Sequence, residues 1–561
     1  MSAKTKSDRL RRLVSHGYFA PELPPCFVSE GLAKNRHSIL EKIDALPKVR
    51  GAPAFHSYIS EPAWFYFPRF GKEDRRHGAP NPIAHLLIAR AIADNYIDLR
   101  RKARRSKLTL SPPVFDWNGS RALMRPSVDL RDRFRVELSS RREEYVEADV
   151  RAFFHTIYTH AIPWAIYGKP FAKKHRGIDG YGNVIDLLCR NAQDGQTIGL
   201  PVGPDTSRLL AEIVASAMDA ELQSKLPVGK RDASRYIDDY TISSAGGHRG
   251  EELLAALRQA AGAFELELNN EKSGIYSTSH RQNTGWQEAV RTHIPSRQNS
   301  EPSLQHFFYQ LGRHCLAHPE VNVEKFGLQN ARSAMVNSSD WSIVQAHLIS
   351  AYRRNPSLIP LLTEVFLLRQ NTRGDVGLQD LREFVENRIP VLARADRTGE
   401  VIWLLFLEIR LELTLSARSL SMLFEIENSY IALLVSCLDK NTLVQGKIDR
   451  SIWNRSLNGG GLRSPMWLYA YEATAQGLIP GGSDTFIIED KYFALIFKQQ
   501  VRFLEIERGY TSIFATLRSL RNSNERLQKL RKAMQDEHER DDLDDFDDGE
   551  PENFGDYDED Y

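Results

Sequence analysis

The sequence predicts an α+β domain over residues 1–300, an all-α domain over residues 301–536 and an acidic tail over residues 537–561, on three observations. In the first part short β-prone runs (Glu144 to Val150, Ala233 to Ser243) mix with helical stretches, and Gly/Pro punctuation is frequent. The second part is a succession of amphipathic stretches joined by short polar turns, such as Ser342-Ile-Val-Gln-Ala-His-Leu-Ile-Ser-Ala-Tyr352 and Thr398-Gly-Glu-Val-Ile-Trp-Leu-Leu-Phe-Leu-Glu-Ile409. No strand-like alternation interrupts them, so a stack of helix pairs is expected, although no fixed repeat period is visible. The last stretch, Asp541 to Tyr561, has no Lys or Arg and is mostly Asp and Glu, which argues for disorder after a long polar helix from about Leu517 to Glu539.

A chain of 561 residues with 42% hydrophobic content can bury two or more cores. Cys26, Cys189, Cys315 and Cys437 have no paired spacing, so neither a zinc site nor a disulfide framework is indicated, and a reducing cytoplasm is expected. The polar N-terminus has no apolar signal core, and no run of about 18 apolar residues predicts a membrane span. The net charge of +1 hides an asymmetry. Arg100, Arg101, Lys102, Arg104, Arg105, Lys107, Arg121, Arg125, Arg131, Arg133, Arg135, Arg141 and Arg142 form a basic stripe suited to phosphate backbones, or a solvated charged face.

Three local patterns carry chemistry. Arg235-Tyr-Ile-Asp-Asp-Tyr240 sets two adjacent carboxylates in a β-prone run. Side-by-side carboxylates repel unless a cation neutralises them, and a hairpin turning at Ile237 and Asp238 would present both at its tip, where hard oxygen ligands suit Mg²⁺. In Glu144-Tyr-Val-Glu-Ala-Asp-Val150, strand periodicity puts Val146, Ala148 and Val150 on one face and Tyr145, Glu147 and Asp149 on the other. Asp149 then faces away from the core as a third carboxylate for a two-metal site, which activates a hydroxyl and stabilises departing pyrophosphate. Gln196-Thr-Ile-Gly-Leu-Pro-Val-Gly-Pro-Asp-Thr-Ser207 is a Gly/Pro loop opening a helix, with Asp205 as N-cap, Leu210, Ile213, Val214 and Ala217 on the packing face, and exposed amides able to touch a template strand or nucleotide phosphate.

In this order the pieces resemble the reverse-transcriptase palm: motif A at Asp149 to Phe154, motif B at Gly199 to Ser207, motif C at Tyr236 to Asp239 and motif D in Leu266-Glu-Leu-Asn-Asn-Glu-Lys-Ser273. The wording of Phe153-Phe-His-Thr-Ile-Tyr-Thr-His-Ala-Ile-Pro-Trp164 and of Gly203-Pro-Asp-Thr-Ser207 is similar to that of bacterial defence-associated, abortive-infection reverse transcriptases, which pair a polymerase half with an α-helical repeat domain. The resemblance implies a right-hand-like fold of fingers and palm followed by that domain, and an antiviral, anti-phage RNA-directed DNA polymerase of the bacterial cytoplasm.

It also implies roles. Asp149, Asp238 and Asp239, with the carbonyl of Val150, would bind two Mg²⁺ ions, with Mn²⁺ as a substitute. Phe154 corresponds to the bulky gate that rejects a ribose 2′-hydroxyl, which implies dNTP substrates and speaks against an RNA-making polymerase. Lys272 matches the lysine that protonates or neutralises the leaving pyrophosphate. Arg75 and Arg76 are candidates for gripping the triphosphate, and Pro201, Gly203 and Tyr236 line the substrate. Val202 stands where many replicative relatives carry glutamine, which puts ordinary template-faithful copying in doubt. Expected partners are a non-coding RNA as template or scaffold, the DNA product and further copies of the chain, with no membrane. Tyr557 and Tyr561 in the tail are candidate priming nucleophiles, against a tail that mimics nucleic acid or only aids solubility. A template-independent DNA polymerase is the nearest alternative, and a non-catalytic RNA-binding scaffold the alternative of another class.

Overall fold

The period-two pattern around Asp149 and the Asp238-Asp239 pair builds one antiparallel sheet. In the computed structural model, β3 (Glu144–Asp149) is an inner strand, flanked by β5 (Asp239–Ser243) and β6 (Gly274–Ser277), and β4 (Ala233–Tyr236) closes the other edge, in the order β4-β5-β3-β6. The structure describes residues 4–510, apart from 178–179, 244–248, 279–284 and 298. The expected helix from about Leu517 to Glu539, the acidic tail, Tyr557 and Tyr561 all lie outside the described residues.

Val146, Ala148, Val150, Tyr240 and Ile242 are all buried, on the face covered by helices Asp205–Lys225 and Gly250–Ala263. The alternation thus works as expected on this side. The other side is not bare: Tyr145 is buried against Phe134 and Leu138 of helix Val128–Ser139. That helix covers part of the second face, which strand periodicity alone could not reveal.

Before the sheet, β1 (Ala63–Arg69) and β2 (Lys72–Ala79) form an antiparallel hairpin with an irregularity between Phe67 and Arg69. Its apolar side is covered by helices of the second half of the chain. Phe65 meets Tyr430 at a ring separation of 5.5 Å, and the Tyr66 N–H donates to Thr398 Oγ at 2.9 Å. Asn428 Nδ2 donates to the Trp64 carbonyl at 2.9 Å. Helix Thr398–Arg410 approaches so closely that a Cβ on Gly399 would lie 2.4 Å from the Tyr66 carbonyl, so only glycine fits.

From residue 301 the described chain is helical, as the amphipathic pattern implied. Helices Val323–Val336, Ile359–Arg373, Thr398–Arg410, Ser429–Lys440 and Trp467–Ala475 pack each on the next in a row. Trp341, Trp403, Phe406, Trp453, Trp467, Tyr469 and Tyr471 are all buried. The all-α expectation needs one amendment: β7 (Leu415–Ser416) and β8 (Val444–Gln445) pair in parallel. Two residues are too short to carry a periodicity. The described residues belong to one compact unit. Its ends are tied together where the Val28 N–H donates to the Phe503 carbonyl at 3.0 Å and the buried Glu472 carboxylate accepts from the Phe503 N–H at 2.9 Å. No helix among the described residues is long and apolar enough to cross a membrane.

Candidate active site

Strand register decides where the acidic residues meet. Asp149 at the end of β3 is the direct cross-strand partner of Asp239 at the start of β5, and the Val150 N–H donates to the Asp238 carbonyl at 3.2 Å. Ile237 and Asp238 make the two-residue turn between β4 and β5, with Ile237 at φ +61°. Three carboxylates, in two groups at least 89 positions apart, therefore converge at one end of the sheet. Burial, followed by the charges of Asp239 and Asp149, pushes the Asp238 carboxyl up to about 7. Burial and a hydrogen bond shared with Asp149 push the Asp239 carboxyl up to about 6.

Lys272 joins them by a chain of local contacts. The Asn269 N–H donates to the Asp149 carbonyl at 2.7 Å, while its side chain accepts from the Glu271 N–H and starts the short 3₁₀ turn Asn270–Lys272. That turn carries Lys272 Nζ back to 3.5 Å from Asp149 Oδ2. On the other side, Arg131 Nη1 stands 3.8 Å from Asp239 Oδ2 and over the Tyr236 ring at 5.4 Å. The two cations offset part of the clustered negative charge.

The β1–β2 hairpin separates the two arginine candidates. Arg75 lies within electrostatic reach of Asp238, whereas Arg76 stacks on Trp64 at 3.7 Å. Arg69, not singled out from the sequence, lies within reach of both Asp149 and Asp238. The signal that could have found it is its place just before Gly71 in the β1–β2 hairpin, which folds its side of the strand back beside Arg75. Phe154, half-buried in the short helix Phe153–Thr156, follows the left-handed Ala152, and its carbonyl accepts from the Leu200 N–H at 2.7 Å.

Motif B is more occupied than expected. The Gly199 N–H donates to the Ile157 carbonyl at 2.8 Å, the Leu200 N–H to Phe154 and the Asp205 N–H to the Gly17 carbonyl, so these amides are not free for a template strand. Pro201 and Val202 are buried, and the Val202 carbonyl accepts from the Gly78 N–H at 3.0 Å, binding the loop to β2. Gly203, at φ +130°, packs on Ala20. Asp205 is not the N-cap, which is Pro204. Its buried carboxylate accepts from the Ala122 and Leu123 N–H groups and pairs with Arg121 at 3.0 Å, because that extended segment brings it unpaired donors. Leu210, Ile213 and Val214 are buried as expected and Ala217 half so.

The basic stripe is likewise partly internal. Arg121 pairs with Asp205, Arg135 with Glu147 at 2.9 Å and Arg142 with Asp232 at 2.8 Å, so these side chains pin the fold. Beside them a cavity of about 900 Å³ opens between helices Val128–Ser139 and Trp286–Thr292, lined by Arg131, Arg135, Tyr145, Trp286 and Arg291.

Residues 104–298 match the family described as reverse transcriptase (RNA-dependent DNA polymerase), a stretch that includes β3 to β6, all three aspartates and Lys272. No curated protein matches the chain. The matched domain indicates RNA-directed DNA polymerase activity, a nucleotidyl transfer that takes an RNA template and dNTPs and makes DNA. Domains of this family generally depend on a divalent metal, typically Mg²⁺.

The donor set fits such an ion: hard carboxylate oxygens, with the proton affinity of Asp238 and Asp239 raised by burial and by the neighbouring carboxylates, a cost that a bound cation would relieve. Among the described residues no three acidic, His or Cys side chains are already drawn together as a metal shell, and Asp149 and Asp239 lean instead on Lys272 and Arg131.

Proposed function

We propose that this chain is a bacterial anti-phage reverse transcriptase whose polymerisation site is Asp149, Asp238 and Asp239. The observation that carries the site is the direct pairing of Asp149 with Asp239 beside the turn that holds Asp238. Divalent cations bound by these carboxylates, with help from the Val150 carbonyl, would supply an activated 3′-hydroxyl and charge neutralisation at the departing pyrophosphate. Arg69 and Arg75 face the same acidic cluster from the fingers and suit the triphosphate. Lys272, at 3.5 Å from Asp149, is placed to give a proton to the leaving group. Phe154 walls the sugar and favours dNTPs. Pro201, Gly203 and Tyr236 shape the floor on which template and nucleotide rest.

The defence role, the partner RNA, a homo-oligomeric assembly, a bacterial cytoplasmic setting and priming from Tyr557 or Tyr561 rest on the resemblance of motifs A and B and on the helices of residues 301–510, of the kind that accompany such polymerases. Purified chain with its co-purifying RNA, Mg²⁺ and each dNTP should make DNA. Joint Asp238→Ala and Asp239→Ala should remove about 4 kcal/mol of transition-state stabilisation, or roughly 10³-fold in rate, and abolish protection of cells from phage. Full synthesis by the double variant would sink the reading.

A second reading, DNA synthesis without a template, is favoured by Val202, a buried aliphatic residue where many relatives offer a glutamine amide. Nuclease removal of RNA separates the two, since only template-independent synthesis survives it. A chain that binds RNA and makes no DNA would be the scaffold instead.

A further inference from the structure

Behind the aspartate hairpin lies a buried charged cluster that the polymerisation chemistry does not touch. Arg235 is wholly buried. Its Nε donates to Asp219 at 2.8 and 3.0 Å, and Nη1 and Nη2 form a fork on Glu212 at 2.9 and 2.7 Å. Tyr240 and Ser106 hydroxyls also donate to Asp219, at 2.6 and 2.5 Å. One donor of this anchored guanidinium points forward instead: Nη1 donates to the Ile237 carbonyl at 2.8 Å. The Ile237 N–H donates to Ser111 Oγ, also at 2.8 Å. Both main-chain polar groups of the turn residue are therefore held from behind.

Ile237 needs holding, because φ +61° is a left-handed conformation that β-branched residues avoid. A two-residue hairpin with positive φ at its first central position ordinarily has glycine there. We propose that Arg235 is a positioning residue, which with Ser111 keeps Ile237 in its left-handed form and thereby sets where Asp238 and Asp239 stand relative to Asp149. The proposal rests on the catalytic reading of those aspartates. Lysine at this position would keep the charge but, as a compact point donor without a planar fork, could not serve Asp219, Glu212 and the Ile237 carbonyl together.

The test uses full-length chain and compares Arg235→Lys, Ser111→Ala and Ile237→Gly, singly and with Ile237→Gly added to each of the first two. The readouts are RNA-templated dNTP incorporation and thermal melting. Arg235→Lys should lower kcat by about 10²-fold, the loss that a displacement of about 1 Å produces, with the dNTP KM changed by less than about threefold. Adding Ile237→Gly should restore kcat by about tenfold or more in the Arg235→Lys and Ser111→Ala backgrounds while not raising that of the wild type, since glycine adopts the turn unaided. It should leave the melting temperature of Arg235→Lys where it was, because glycine replaces no buried ion pair. The same factor from Ile237→Gly in every background, or a loss confined to KM, would overturn the proposal. If Arg235→Lys does not fold, the Ser111→Ala pair carries the same comparison. A wild-type chain that makes no DNA overturns the catalytic reading and the proposal together, whereas an active wild type with no relief by glycine overturns only the role of Arg235.

Discussion

Asparagine at position 238 should make the metal-free protein more stable while removing its activity. The Asp238 carboxyl rises from an ordinary 3.8 to about 7 because burial and the charges of Asp239 and Asp149 disfavour its ionised form. Unscreened, such a rise corresponds to about 4 kcal/mol, and since the turn is only half-buried, screening by water leaves roughly 1–2 kcal/mol. The direction follows from proton counting. Between about pH 4 and 7 the folded chain holds a proton here that the unfolded chain has lost, so wild-type stability falls as pH rises through this window.

Below pH 4 the carboxyl is protonated in both states, and Asp238→Asn should match the wild type. The gap should open up to about pH 7 and stay level above it. Urea denaturation in EDTA across pH 4 to 8 measures this directly. Saturating Mg²⁺ should reverse the order at pH 7.5, because a ligand at a hundred times its Kd adds about 2.7 kcal/mol to the state that binds it. A wild-type chain at least as stable as Asp238→Asn at pH 8 without metal, or a gap independent of pH, would refute the reasoning.

Gly203→Ala should cost about 2 kcal/mol, because φ +130° is strained for any Cβ and the added carbon would lie 2.8 Å from Ala20 Cβ; thermal melting checks it, and an unchanged midpoint contradicts it. Lys272→Ala should slow the chemical step by about 10²-fold with little change in dNTP KM, read by rapid-quench incorporation, and a pure KM effect would argue against proton donation. A chain ending at residue 300 should aggregate or bind hydrophobic dyes, since it uncovers the β1–β2 hairpin around Phe65 and Tyr66; a monomer with a sharp cooperative melt would show that this hairpin needs no helical cover.

The chemistry-bearing residues were legible because their signals are local. A doubled aspartate in a β-prone run, a strand alternating around Asp149 and a Gly/Pro loop before a long helix each lie within a dozen positions. Order along the chain then related them to a palm. What escaped was long-range. Arg69 and Arg131 reach the aspartates only through the hairpin and through helix Val128–Ser139. The amides of Gly199, Leu200 and Asp205 looked free because their acceptors, Ile157, Phe154 and Gly17, come from other segments. Nothing local in Arg235-Tyr-Ile-Asp-Asp-Tyr240 tells that Glu212 and Asp219 will close around Arg235.

By itself, then, the order of residues determined which side chains could do chemistry and which stretches would be strand or helix, since backbone periodicity and side-chain type act over a few positions. Only the folded chain decided which of those groups share a space: the register that sets Asp149 opposite Asp239, the arginine beneath Ile237 and the helices over the β1–β2 hairpin. Register and burial are settled by the packing of segments tens to hundreds of residues apart, and no local pattern carries that information.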